Sequence, residues 1–451
     1  MSDRGKHLLV LVHGLWGSHT HMGTLKQLLA ETFAEDDEFN EDEILFYLPR
    51  ENGYLKTLHG VDYMGYQVII ELCEFVKNYG ERRIGKISFI GYSMGGLVSR
   101  YVIGKIFTEC KELFGHMEPV FYMSFATPHL GLEFYTSQDP NSKSLVMDVF
   151  LMFLRFIGMH ALGRSGRQMF LAYEQDDTLV KLTEGEFIKQ LGRFKYRIAF
   201  ANVKNDRTVA FYTSFISDYD PFIETNNKLL YKFDTQLPTK GVLGVNPRIV
   251  DFANLDPSVK CPNNRKFHLV LFWCVVFLSL AFTVFPLVLV FNLMATIYSY
   301  AVTIAEQSQI AKGDGRQILR QKLGLENNSN VTTGAETCEP DTDSADVSAR
   351  CPSGESESIS WSRFLAKYSS NTRIGNKFRR LPFDPKRAKM FANLNKLTWI
   401  RIPIYIKSIN SHDGIVVRNG LKASSTMSIA CACFTAHFTK YILLQEQKRA
   451  K

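Results

Sequence analysis

Two rhythms of apolar residues alternate along the first half of the chain. Short, nearly continuous apolar runs occupy residues 8–12, 43–48, 86–90, 120–125 and 196–201. Runs of that length and density are expected of parallel strands buried on both faces. Between them, residues 20–33, 62–80 and 95–107 carry apolar positions at helical spacing, and the second of these stops at Gly80. A strand-helix alternation of this kind predicts an α/β fold with a mostly parallel central sheet. A late run at 402–406 reads as one more strand, and Pro403 within it points to an edge position.

Three stretches break the rhythm. Residues 134–172 interrupt it with "SLVMDVFLMFLRFIGMHAL", apolar on nearly every side. This is either a buried helix or a lid over an apolar substrate, since Met-rich segments adapt to variable partners. Residues 265–303 hold a long uncharged run, longer than the ~20 apolar residues that span a bilayer and shorter than two spans. Pro286 sits near its middle, and the basic residues Arg265, Lys266, Lys312 and Arg316 flank both ends. A membrane-embedded hairpin with both ends on one side is the expectation, ahead of a single tilted span or a buried helix pair. Residues 313–362 are polar, acidic and poor in apolar side chains, as expected of a disordered linker. Residues 1–235 then form the main core, and 395–451 return to it, ending in an amphipathic helix with a basic end.

Composition narrows the field slightly. The 451 residues carry a formal charge of +8, a mild bias that suits an anionic surface. With no arginine-rich helix, zinc-finger spacing or nucleic-acid module, nucleic acid is excluded as the main partner. The eight cysteines lie mostly in apolar runs and suit a reducing compartment. The start, "MSDRGKHLLVLVHGLWG", is not expected to be a signal peptide, because its apolar run is strand-length and ends in a His-Gly turn. No cofactor or metal is expected.

The chemistry gathers around "FIGYSMGG", in which Gly91, Ser93 and Gly95 fit G-x-S-x-G between a strand and a helix. That context is a nucleophile elbow: small residues two before and two after the serine relieve crowding at a sharp turn. Serine needs a base to remove its proton. Among histidines, His412 follows the late strand in "SHDG"; its rival is His129 in "ATPHLG". His13 lies ahead of Ser93, against the Ser, acid, His order, and is read as orienting its loop; His160 and His437 are expected to be packed. For the acid, Asp206 follows a strand directly, unlike Asp176, Asp177, Asp218 and Asp220. In "VLVHGLWGS" the amide of Leu15 or Trp16 would join that of Met94 as an oxyanion hole, with Leu15 and Met94 the expected pair.

In their order, "VHGLWG", "GYSMGG", "ATPHLG", "SGRQMFL", "ANVKNDRTV" and "SHDGIVV" resemble the serine esterase family of fungal and plant lipases, over residues 8–213 and 397–417. The resemblance implies an α/β-hydrolase fold and hydrolysis of acyl esters in glycerophospholipids. It also implies residence at the cytosolic face of lipid droplets or at the endoplasmic reticulum membrane. Ser93 carries over as nucleophile, Asp206 as acid and His412 as base. The hydrophobic run and the acidic linker lie outside the shared motifs. Rival readings are an acyltransferase or neutral-glyceride lipase with the same triad, and an inactive lipid-binding protein.

Overall fold

In the computed structural model the described residues are 5–35, 39, 43–80, 83–135, 145–172, 176–224, 232–239, 241–242, 244–252, 255, 279, 286–287, 289–301, 303–304, 357–369, 378–408 and 410–449. Among them, β1 (Lys6–Val12), β2 (Ile44–Tyr47), β3 (Ile84–Tyr92), β4 (Glu118–Phe125), β5 (Tyr196–Asn202) and β6 (Ile400–Ile404) form one sheet in the order β2-β1-β3-β4-β5-β6. Each neighbouring pair is parallel. The helices used below are α1 (Gly23–Ala34), α2 (Val61–Tyr79), α3 (Met94–Glu109), α4 (Leu145–Ala161), α5 (Gly163–Met169), α6 (Leu289–Ala301), α7 (Glu357–Ser369) and α8 (Thr426–Arg449). This is the expected α/β-hydrolase arrangement.

The strands are apolar on both faces because both faces are covered. Leu8, Val10 and Val12 of β1 and Phe89 of β3 pack with α2 and α3. Leu9 and Leu11 of β1, with Phe121, Met123 and Phe125 of β4, pack with α1, α7 and α8. Alternate residues of one strand thus serve two separate core layers, the period of two that a pleated strand imposes. Pro403 does lie in an edge strand. The flank beyond it is covered by residues 248–250: the Val250 amide donates to the Pro403 carbonyl at 2.9 Å and the Tyr405 amide to Arg248 at 2.9 Å.

Several expectations change. The chain-terminal helix is not amphipathic. α8 is long and apolar enough to cross a membrane, yet 89% of its most apolar window is buried in the molecule. It lies against the sheet, α1 and α7, with Ala430, Ala432 and Ala436 allowing close approach. Its central threonine hydroxyls are satisfied within the helix: Thr435 donates to the Cys431 carbonyl at 3.0 Å and Thr439 to Thr435 at 2.8 Å. The predicted linker at 313–362 ends too late. Residues 313–356 lie outside the described residues, but 357–362 open α7, because Trp361 is buried against Phe434 and Phe438. Of the predicted hairpin at 265–303, residues 265–278 and 280–285 lie outside the described residues and α6 forms its end. His160 is exposed, stacked on Phe156 at 4.3 Å, rather than packed. The described cysteines Cys73, Cys110, Cys431 and Cys433 are free thiols.

Candidate active site

The parallel strands all end on one side, and each delivers a loop there. All six of those connections hold a non-glycine residue at positive φ: Trp16 (54°), Tyr54 (53°), Ser93 (54°), Ala126 (45°), Asn205 (59°) and Val417 (54°). Such conformations cost on the order of 1–3 kcal/mol each and persist only where the surroundings impose them. Their convergence at one edge of the sheet marks it as the place where the fold accepts strain.

Ser93 connects β3 to α3 with φ 54° and ψ −129°. Its amide is pinned by the Phe125 carbonyl at 2.8 Å. The flanking glycines are required sterically. A Cβ on Gly91 would lie 2.4 Å from the Gly96 Cα, and one on Gly95 would lie 2.3 Å from the Val12 carbonyl oxygen. The β1 loop presses on the serine itself, since a Cβ on Gly14 would lie 2.6 Å from the Ser93 Cβ and 3.2 Å from its Oγ. Gly14→Ala is therefore expected to lower kcat by about 10²-fold through displacement of the two loops. Turnover of a soluble ester, set beside a thermal melt, measures it; wild-type turnover would mean the contact relaxes freely.

The structure brings Ser93, His412 and Asp206 together across 319 residues of sequence. His412 Nε2 is 2.9 Å from Ser93 Oγ, and His412 Nδ1 is 2.9 Å from Asp206 Oδ2. The carboxylate accepts only, so Nδ1 carries the proton and Nε2 is left to accept from the serine hydroxyl. The Asp206 amide partners are Thr208 at 3.0 Å and Val209 at 2.8 Å, both on Oδ1, while Asn202 Nδ2 donates to Oδ2 at 2.9 Å. Burial alone would raise this carboxyl. The His412 charge and hydrogen bond, with the Val209 and Asn202 donors, outweigh burial and hold it below the ordinary carboxylate value.

The competing residues are engaged elsewhere. Asp176 bonds Thr178 and Gln168, Asp177 pairs with Lys386, and Asp218 pairs with Arg380. Asp220 is buried and takes the amides of Phe222 and Tyr212; burial pushes it up to about 6. His129 is fully buried between Ser124 and Arg100, and burial holds it well below its usual value. His13 donates locally to the Gly14 carbonyl at 3.1 Å, and burial lowers it to about 4, so it stays neutral.

Thr57 distinguishes the Leu15 and Trp16 amides. Its Oγ1 accepts from the Trp16 N–H at 2.9 Å, while no hydrogen bond among the described residues takes the Leu15 N–H. The Met94 N–H opens the first turn of α3, where a helix leaves its amides without internal partners. Among the described residues the Leu15 and Met94 amides are thus left open beside the elbow. Asn202, Thr57, Tyr92, Asp413 and Arg418 also belong to this region and were not singled out from the sequence. Only Asn202 had a legible signal, a polar residue closing the apolar strand that leads to Asp206.

Above the β1 loop lies α6. Trp16 and Phe291 meet with ring centroids 6.2 Å apart, and the Gly163 amide at the start of α5 donates to Thr296 Oγ1 at 3.1 Å. Ala295, Thr296 and Ser299 face inward and are buried, whereas Val290, Phe291, Met294 and Ile297 are 56%, 56%, 66% and 68% exposed. On α4, Met152 and Phe156 are exposed as well. Residues 136–144, the approach to α4, lie outside the described residues.

Residues 2–218 match the family described as "Putative serine esterase". The chain is similar to Putative lipase YDL109C of Saccharomyces cerevisiae, 27% identical over 278 residues, covering 58% of this chain and 38% of that protein. It is also similar to Putative lipase ROG1 of the same organism, 29% identical over 234 residues, covering 50% and 31%. The chain spans about a third of the length of these curated relatives. Among solved structures, mature Bacillus licheniformis lipase BlEst2 is 18% identical, covering 45% of this chain and 69% of that chain with a TM-score of 0.26.

Proposed function

We propose that this chain, whose residues 2–218 match the putative serine esterase family, hydrolyses acyl esters of glycerophospholipids at a membrane or lipid-droplet surface. In this reading His412 takes the Ser93 proton as Oγ attacks the ester carbonyl. The amides of Leu15 and Met94 receive the oxyanion, and Asp206 holds the imidazole in its productive tautomer. The imidazolium returns its proton to the leaving alcohol, here a lysophospholipid. Water, deprotonated by the same base, then releases the fatty acid from Ser93.

The observation that carries the lipid-surface reading is the inverted packing of α6, small and hydroxyl side chains inward and large apolar ones outward beside the Trp16 loop. In water this face is unfavourable. At their observed exposures, Val290, Phe291, Met294 and Ile297 offer about 4–7 kcal/mol toward partition into acyl chains. The basic residues flanking the apolar run suit an anionic headgroup layer.

The test is fatty-acid release by the purified chain from phospholipid vesicles, triacylglycerol emulsion and a soluble short-chain ester, with an alcohol acceptor present in a parallel set. Release from phospholipid is expected to dominate. Preferred release from triacylglycerol would favour a neutral-glyceride lipase, and ester formation with the alcohol would favour acyl transfer. A double variant with Met294→Asp and Ile297→Asp is expected to lose vesicle flotation and to lower the vesicle-to-soluble activity ratio by about tenfold or more. An unchanged ratio would remove α6 from the docking face.

A further inference from the structure

The structure assigns a positioning role to the Asp413–Arg418 pair, which ties the three active-site loops together; this rests on the serine-hydrolase reading above. Asp413 directly follows the candidate base, yet its carboxylate is turned to other partners. Its Oδ1 accepts from the Tyr92 hydroxyl at 3.3 Å and from Arg418 Nη1 at 3.2 Å, and its Oδ2 accepts from Asn410 Nδ2 at 2.9 Å. Tyr92 is the residue before the nucleophile, and its ring lies 5.1 Å from the His412 imidazole. Asn410 opens the short turn that carries His412, accepting the His412 amide at 3.2 Å. One carboxylate therefore fastens the elbow after β3 to the loop after β6.

Arg418 extends that knot to the loop after β1. Its Nη2 donates to the Trp16 carbonyl at 3.4 Å, while its own amide donates to the Asp413 carbonyl at 3.1 Å. Trp16 is thus gripped at both ends, its N–H by Thr57 and its carbonyl by Arg418. It stands immediately after Leu15, the oxyanion donor, in a left-handed conformation that needs external restraint. Arginine's planar fork serves the carboxylate and the carbonyl from two nitrogens held at fixed separation, whereas a lysine would have to reach both from a single nitrogen on a flexible stem. Both side chains are partly exposed, at 21% and 28%. An ion pair so placed adds little to stability, so its effect falls on the geometry of the oxyanion hole relative to the base.

A pair of matched substrates tests this in the full-length purified chain: a soluble short-chain ester and its thionoester, whose sulfur is a poor guest for a hole built around an oxyanion. The wild type is first labelled with a fluorophosphonate probe. Arg418→Ala and Arg418→Lys are expected to lower kcat on the ester by about ten- to a hundredfold, with KM changed by less than about twofold. The thionoester rate is expected to fall by a smaller factor, so the oxo-to-thiono ratio drops. Asp413→Asn is expected to act in the same direction. A labelled wild type whose variants keep their kcat, or lose both rates by one common factor, overturns the positioning role alone. A wild type that the probe does not label overturns the serine-hydrolase reading as well.

Discussion

Ser93→Ala is expected to lower ester hydrolysis by about 10⁴–10⁶-fold while leaving the thermal melt nearly unchanged. The reaction loses its covalent route altogether, because no other hydroxyl is described within reach of His412 Nε2. Stability should hold for a specific reason. The cost at position 93 is backbone strain at φ 54°, and alanine bears it much as serine does. The Phe125 carbonyl still receives the residue's amide. Some rate should survive above that in water, since the Leu15 and Met94 amides remain to polarise the carbonyl. Probe labelling, fatty-acid release and a melt, taken together, check the claim. Wild-type turnover in the variant would place the nucleophile elsewhere.

Asp206→Asn is the next largest, at about 10³–10⁴-fold in kcat with KM little changed. The argument lies in the donors around the carboxylate. Oδ1 receives the Thr208 and Val209 amides, so the oxygen of an asparagine must take that place. Its NH₂ then faces His412 Nδ1 and Asn202 Nδ2, two donors in the present arrangement. The cheapest relief is for His412 to move its proton to Nε2. In that tautomer it cannot accept from Ser93, so the base is silenced although the ring stays in place. Stability should fall by about 1–3 kcal/mol at neutral pH, as a buried charge-assisted hydrogen bond is lost. The sign with pH follows from the depressed value of Asp206. Its contribution is fully present above the 3.8 of a free carboxyl and disappears only as pH falls through the lower, folded value. Wild type and variant should therefore converge in stability under strong acid. Equal kcat in the two proteins at neutral pH would remove Asp206 from the reaction.

The sequence was most legible where one segment sets its own structure. The strands β1 to β6 follow the apolar runs within a few residues, because burial of most of the sheet on both faces keeps their polar positions few. The elbow was legible for a similar reason: the crowding that demands Gly91 and Gly95 arises within a single strand-turn-helix. Asp206 and His412 were narrower choices among several acids and histidines, and strand order carried them. α8 misled for lack of context. Its hydroxyls and terminal charges read as a polar face, but Thr435 and Thr439 bond within the helix and Glu446 is buried beside Arg449 and Lys195. At α7, a single tryptophan anchored residues that composition had assigned to a linker.

By itself, then, the sequence determined the alternating α/β core, the strained serine turn and the order of the three candidate groups, since backbone sterics and hydrophobic period act over a few residues. Tertiary structure alone decided which amide of the β1 loop stays open, through Thr57 accepting from Trp16. It also decided which face of α6 is bare, and that Tyr92, Asp413 and Arg418 meet. Those outcomes depend on hydrogen bonds and packing between segments up to 402 residues apart, such as Trp16 and Arg418. Such a contact leaves no local pattern, because its energy exists only once the chain has closed on itself.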